Sequence, residues 1–291
     1  MNPSSAPFSS PSGKLSGTLY VVATPIGNLA DMVPRAVETL QSVALIAAED
    51  TRHSARLLSH FSISTPCVPY HDHSDERRTD DLLQRLTGGE SLALISDAGT
   101  PLVSDPGYRL VRAARQSGIP VVPIPGACAL TAALSASGLA SDRFSFEGFP
   151  PAKTNARRNW LDALAGDRRT LIFYEAPHRV LACLQDMEAV FGPEREAVLA
   201  RELTKTFETI QGGPLAELVE FVAGDSNQQR GEIVLLVAGA PARADEGLDA
   251  EAERVMGILL EDLPVKQAAA LAARITGVKK NALYQWAIDQ K

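Results

Sequence analysis

"LISDAGTPLVSDPG" (residues 94–107) ends an apolar run in two Asp-bearing turns, and Gly99, Pro101 and Pro106 hold its backbone in place. The same grammar repeats along the chain. Short β-rich runs, "TLYVVA" (18–23), "VALIAA" (43–48), "PCVPY" (66–70), "SLALIS" (91–96) and "PVVPI" (120–124), alternate with segments of helical spacing such as "PRAVETLQ" and "YRLVRAARQSG". Near-continuous apolar runs separated by helices predict buried parallel strands, and hence an α/β sheet. Pro34 suits a helix start and Gly118 the position after a helix end.

Each run is followed by a polar, turn-forming segment: "TPIGNLAD", "EDTRH", "HDHSDERR", "DAGTPLVSDPG" and "PGACALTAA" in turn. These segments collect at the carboxyl edge of one sheet, where open α/β folds bind ligands. A second unit is expected from about Phe144, with runs "FSFEGF", "TLIFYEA", "EAVLARE", "FETIQGG" and "EIVLLVAG". Its last three runs follow one another with short spacers, which predicts a mixed or largely antiparallel sheet.

At 291 residues the chain exceeds what a single core usually supports. The expected organisation is a disordered Ser/Pro/Gly arm (1–17), an α/β domain with a parallel sheet (18–140), a second α/β domain with a mixed sheet (141–241), and an acidic linker with a helical tail (242–291). In the tail, "PVKQAAALAARITGVKKNALYQWA" reads as two helices broken at Thr276-Gly277, a helix-turn-helix-like outline. Three widely spaced cysteines argue against a disulfide framework, and no apolar span is long enough for a bilayer. A soluble protein of the reducing cytoplasm, without a membrane partner, is the expectation.

A net charge of -7 speaks against nonspecific coating of nucleic acid. Charge is uneven, however. Lys153, Arg157 and Arg158 lie in an acid-free stretch, and Lys279 and Lys280 lie in a basic tail, so local faces are available for RNA phosphates.

Several chemistries fail to assemble. "TPIGNLAD" has one glycine where a dinucleotide fingerprint needs three, and neither a P-loop nor a G-x-S-x-G elbow occurs. His71, Asp72 and His73 are competent metal ligands, but no second cluster completes a shell, so no metal is expected. Asp50 reads equally well as a helix N-cap or as part of a site with Glu49, Arg52 and His53. What remains is a pocket made of backbone. That suits a cofactor which does its own chemistry and needs only to be held and aimed. S-adenosylmethionine is of this kind, with Asp97 and Asp105 facing its positive charges and Gly99 admitting close backbone approach.

The segments "LYVVATPIGNLADMVPRAVETL", "AAEDTRHSARLL", "LISDAGTPLVSDPGYRLV", "PIPGACALTAALSASGL", "FEGFPPAK", "RTLIFYEAPHRV", "ARELTKTFET" and "GEIVLLV" occur in order across residues 18–239. Together they resemble the bacterial ribosomal RNA small subunit methyltransferase I family, within the tetrapyrrole (corrin/porphyrin) methylase superfamily. The tail is similar to that family's C-terminal extension. The resemblance implies a two-domain tetrapyrrole-methylase-like α/β fold, S-adenosylmethionine in the cleft between domains, a homodimer, and 2'-O-methylation of a cytidine in 16S ribosomal RNA near the decoding centre. Carried onto this chain, it places Pro25, Gly27 and Asn28 in a first cofactor loop and Asp97, Ala98, Gly99, Thr100, Pro101, Ser104 and Asp105 in a second. Gly126, Ala127 and Cys128 fall in a third, and Tyr174 to His178 with Gly231 contribute from the second domain. Ser74-Asp75 stands where the family usually has Asn-Glu. A ribose hydroxyl sheds a proton on attack, so Asp50, Glu175 and His178 are candidate bases, beside positioning without a dedicated base. A tetrapyrrole methyltransferase and a nonenzymatic nucleic-acid-binding regulator are the alternatives.

Overall fold

A computed structural model describes residues 17–71, 76–241 and 250–289. The arm expected to be disordered lies outside these residues except for Gly17, and so do Asp72, His73, Ser74 and Asp75. The chain forms two compact units, divided after Ala240.

The first unit opens with a five-stranded sheet of β1 (Leu19–Val22), β2 (Leu45–Ala48), β3 (Cys67–Pro69), β4 (Leu92–Ile95) and β5 (Val121–Ile124). Every pairing is parallel, in the order β3-β2-β4-β1-β5. All four residues of β2 and of β4 are buried because helices cover both faces. On one face Ile46 and Ala48 pack with Ala36 and Leu40 of α1 (Pro34–Ser42) and Leu58 of α2 (Thr51–His60). On the other, Leu45 and Ala47 pack with Leu82 and Leu86 of α3 (Glu76–Thr87) and Leu110 and Ala114 of α4 (Tyr108–Gln116). Each such buried leucine contributes about 1.5–3 kcal/mol of transfer free energy.

This topology fixes where a ligand goes. The connection leaving β1 enters α1 on one face, whereas the connection leaving the adjacent β4 enters α4 on the opposite face. A crevice therefore opens between the carboxyl ends of β1 and β4, the switch point of the sheet.

The second sheet runs β6-β7-β10-β8-β9, from β6 (Phe144–Gly148), β7 (Thr170–Glu175), β8 (Glu196–Arg201), β9 (Thr209–Pro214) and β10 (Ile233–Val237). Only β6 and β7 are parallel, so the sheet is mixed. One difference from the sequence expectation is α8 (Leu215–Gly224), a helix in the supposedly short spacer after β9. Leu215, Leu218 and Val222 recur at helical spacing and are buried with α6 (Thr154–Asp162) and α7 (Val180–Phe191) against one face. The other face receives α5 (Ala129–Ser137) through Leu130, Ala133 and Leu134. Helix α5 follows the first sheet in sequence yet packs in the core of the second.

The second unit contains α9 (Ala250–Asp262), α10 (Val265–Thr276) and α11 (Lys280–Asp289). The break between the last two falls at the expected Gly277, but part of the stretch read as an acidic linker is helical. Ala252, Val255 and Met256 of α9 join Ala268, Ala269, Ala272, Leu283 and Ala287 in a small core of its own. Glu251, Glu261 and Asp262 occupy the outer positions of this amphipathic helix, while Glu253 is half-buried.

Candidate active site

A cavity of about 390 Å³ lies at the switch point. Its floor is the stretch after β4, where Asp97, Ala98, Gly99, Thr100, Val103 and Asp105 all line it. Gly99 is the joint of this floor. Its N–H donates to the carbonyl of Thr24 at 3.0 Å and its carbonyl accepts from the Thr24 N–H at 2.8 Å, so the loops leaving β1 and β4 are bridged. Gly99 has φ of +84°, where a side chain is strained, and an added Cβ would lie 3.3 Å from Ile26. Leu102 and Ser104 also sit at positive φ, marking a loop held in a costly shape.

A second clamp joins the loops leaving β2 and β4. Asp97 Oδ1 accepts from the Asp50 N–H at 3.0 Å, and Glu49 accepts from the Asp97 N–H at 3.4 Å. Thr100 donates its hydroxyl proton to the Ala127 carbonyl at 3.0 Å, fastening the floor to the turn before α5.

The second sheet supplies the facing wall through Tyr174, Glu175, Ala176, Leu203, Gly231 and Glu232. The Tyr174 hydroxyl accepts from the Leu130 N–H at 3.2 Å. Burial, with Cys128 alongside, pushes this phenol well above its ordinary value, so it remains a neutral O–H group. Five acidic residues, Glu49, Asp97, Asp105, Glu175 and Glu232, are in the lining among apolar Ile26, Leu203 and Ile233, the Glu175 carboxylate buried against Arg179 and that of Glu232 paired with Lys205. Such a lining favours a cation with an apolar body.

The structure brings together Asp97, Ala98, Gly99, Thr100, Asp105, Cys128, Tyr174, Glu175 and Gly231 from the sequence assignments. Pro25, Gly27, Asn28, Pro101, Ser104, Gly126 and Ala127 lie outside the lining. Asn28 accepts from the Ala30 N–H at 3.0 Å and caps a short helical turn. Gly27 lies beneath Lys205, whose Cγ would be 2.4 Å from an added Cβ. Gly126 allows close approach to Ala23.

Of the candidate bases, Asp50 is the N-cap of α2, accepting from the Arg52 N–H at 2.8 Å. The Arg52 side chain hydrogen-bonds its carboxyl and holds it below the ordinary carboxylate range. His178 is exposed on a short helical turn outside the lining. Glu175 does line the cavity, but its buried carboxylate is engaged by Arg179 at 3.1 Å and by the Ala176 N–H at 2.7 Å.

The three cations expected to form a basic patch do not share one open face. Lys153 and Arg158 are exposed, whereas Arg157 is 2% exposed and paired with Asp186. It is a core residue, unavailable to RNA, because its helix turns that side toward α7. Lys279 and Lys280 are exposed. Sequence reasoning missed Ile26, Val103, Phe149, Leu203 and Glu232 in the lining. Leu203 did carry a signal, as an apolar residue within a polar turn, and Glu49, weighed as part of a possible site with Asp50, Arg52 and His53, does line the cavity.

Residues 18–219 match the family described as Tetrapyrrole (Corrin/Porphyrin) Methylases, and residues 246–291 match the RsmI C-terminal HTH domain. The chain is 63% identical to the Ribosomal RNA small subunit methyltransferase I of Pseudomonas aeruginosa over 276 residues, covering 94% of this chain and 98% of that protein. It is 56% identical to the protein of that name from Escherichia coli O157:H7, over 94% of this chain and 96% of the relative. Among solved structures, uroporphyrin-III-C-methyltransferase from Thermus thermophilus superposes with a TM-score of 0.54 at 21% identity, covering 76% of this chain and 94% of that one. Diphthine synthase superposes at 0.57 and 15%, covering 77% and 90%. These two likenesses establish the fold. With close relatives matched over nearly their whole length, the chain belongs to the ribosomal RNA small subunit methyltransferase I family of the tetrapyrrole methylases.

Proposed function

We propose that this protein uses S-adenosylmethionine to methylate the 2'-oxygen of a cytidine ribose in 16S ribosomal RNA near the decoding centre, as a cytoplasmic homodimer. The observation that carries the reading is the acid-ringed, glycine-floored cavity at the switch point, in a chain whose close relatives bear a ribosomal RNA methyltransferase name.

The residues fit the cofactor. Asp97 and Asp105 offer negative charge to its sulfonium and amine, Ile26, Leu203 and Ile233 offer apolar surface to its adenosine, and Gly99 permits close approach of backbone. When bound, the cofactor supplies an electrophilic methyl group. The chain's part is to orient the reactants and to exclude water, without a dedicated base among Asp50, Glu175 and His178. Glu175 serves as an anchor in this scheme, since Arg179 and a backbone N–H already occupy it.

Calorimetry with S-adenosylmethionine, followed by labelled methyl transfer to small ribosomal subunits and to tetrapyrroles, tests the reading. Cofactor binding with transfer only to subunits, mapped to a ribose oxygen, supports it. Transfer only to tetrapyrroles, or an absence of cofactor binding, overturns it.

A further inference from the structure

Residues 148–153, "GFPPAK", are held more firmly than an exposed connection requires. Gly148, at φ of +68°, turns the chain out of β6, and Pro150 and Pro151 stiffen the approach to α6. Arg179 donates to the Pro150 carbonyl, and Arg157 donates to those of Pro151 at 3.3 Å and Ala152 at 3.2 Å. Three successive carbonyls are thus taken by two arginines. Each arginine is balanced by a buried acid, Glu175 for Arg179 and Asp186 for Arg157.

This clamp presents Phe149. The residue lines the cavity, yet it remains 55% exposed. Its ring meets Tyr174 in a T-shaped contact at 5.7 Å, and Tyr174 in turn meets Phe146 at 4.7 Å. The Leu130 N–H fixes the Tyr174 hydroxyl, so the aromatic row is immobilised from behind. Lys153, four residues on in the chain, is exposed, and Arg158 on α6 is half-exposed with its Nε on Asp186 Oδ1 at 2.6 Å. A rigid, open aromatic ring in a cavity lining, with an exposed lysine four residues along the chain, has the chemistry that recognises an unstacked nucleotide, with a π-face for the base and charge for phosphate.

We propose that Phe149 is the stacking platform for the base of the RNA nucleotide whose ribose enters the cavity. The inference rests on the RNA methyl-transfer reading above and assigns the base a place on the second-sheet side of the mouth. Phe149 acts as a positioning residue, since it binds the base and takes no part in the proton or methyl movement. Lys153 holds the adjoining backbone.

The test compares full-length Phe149→Ala, Phe149→Leu and Phe149→Trp variants with the parent, measuring S-adenosylmethionine affinity by calorimetry and kcat/KM on small ribosomal subunits. Loss of one base–aromatic stack lowers kcat/KM about 5- to 150-fold in the Ala and Leu variants, mainly through KM. The Trp variant restores it, and cofactor affinity stays at the parent value in all three. The Leu variant keeps apolar cover should Ala perturb folding. Parent-like kcat/KM in the Leu variant overturns the proposal, as does a loss of cofactor affinity, which would place the ring against the cofactor. A parent enzyme that transfers no methyl to subunits overturns the proposed function and this inference with it.

Discussion

Arg157 and Asp186 form an ion pair of 2.5 Å in which each side chain is only 3% exposed, and Arg158 holds the other carboxylate oxygen at 2.6 Å. Removing Asp186 strands the buried Arg157 guanidinium, whereas Asp186 would keep Arg158 if Arg157 were lost, so Asp186→Leu is expected to cost about 3–5 kcal/mol. The double replacement Arg157→Met, Asp186→Leu recovers a large part of that loss, because no charge is then buried alone. Urea unfolding of the three proteins checks this. A single substitution costing under about 1 kcal/mol would mean that the pair behaves as a surface contact.

Gly99 couples stability to ligand affinity. Ala at this position meets the strain of a positive φ and the methyl of Ile26, for an expected loss of about 1–2 kcal/mol. The same change displaces the Thr24 bridge and the floor of the cavity. Thermal unfolding and cofactor titration are expected to fall together; a variant with parent stability and parent affinity contradicts this role for the loop.

Much of this arrangement was legible in the chain. Buried strands announce themselves as continuous apolar runs, and the loops after them collect where a parallel sheet binds ligands, so Asp97, Gly99 and Asp105 were found by position alone. The face on which a charged residue emerges is harder to read. Arg157 and Arg158 are adjacent in sequence, yet one is buried and the other open, because consecutive helical residues point about 100° apart. Phe149, Leu203 and Glu232 come to the cavity through the register of the second sheet, a long-range property that no local pattern encodes.

Lys205 joins Glu202 at 2.8 Å and Glu232 at 2.9 Å, tying the turn after β8 to the start of β10, and its stem packs over Gly27. Partial burial raises the Glu202 pKa, but the hydrogen bonds from Lys205 and the Glu232 N–H outweigh it and hold the value below 4.5. A depressed carboxylate contributes stability above its unfolded pKa and loses it as pH falls through the folded value. For Lys205 burial acts downward, yet its two carboxylates hold its pKa above 10.5, so its contribution is complete below 10.5 and disappears as pH rises through the folded value. Hydrogen exchange in residues 202–208, corrected for intrinsic rates, is expected to lose protection as pH falls below 4.5. Lys205→Met largely removes that dependence. Protection unchanged on acidification would show that the network does not hold the turn.

The three-helix unit has its own core, including the Trp286 indole N–H donating to Glu253 at 3.2 Å. Deleting residues 241–291 is expected to leave cofactor affinity unchanged and to depress methylation of small subunits at limiting substrate, through loss of a second contact. Calorimetry and initial rates on the truncated and full-length proteins check this. Equal rates would remove any substrate-capture role for the tail.

The two outer strands of the parallel sheet share one further property. Pro66 turns its carbonyl and Tyr70 its N–H toward β2, so the alternation along β3 directs Pro69 outward. Pro120 and Ile124 turn their carbonyls toward β1, which likewise directs Pro123 of β5 outward, where Arg35 occupies its carbonyl at 3.4 Å. Both margins thus lack a donor at the position where an incoming strand would dock. A newly made chain meeting another finds no template for edge-to-edge growth here, so this sheet is guarded against aggregation by residues that take no part in its catalytic site.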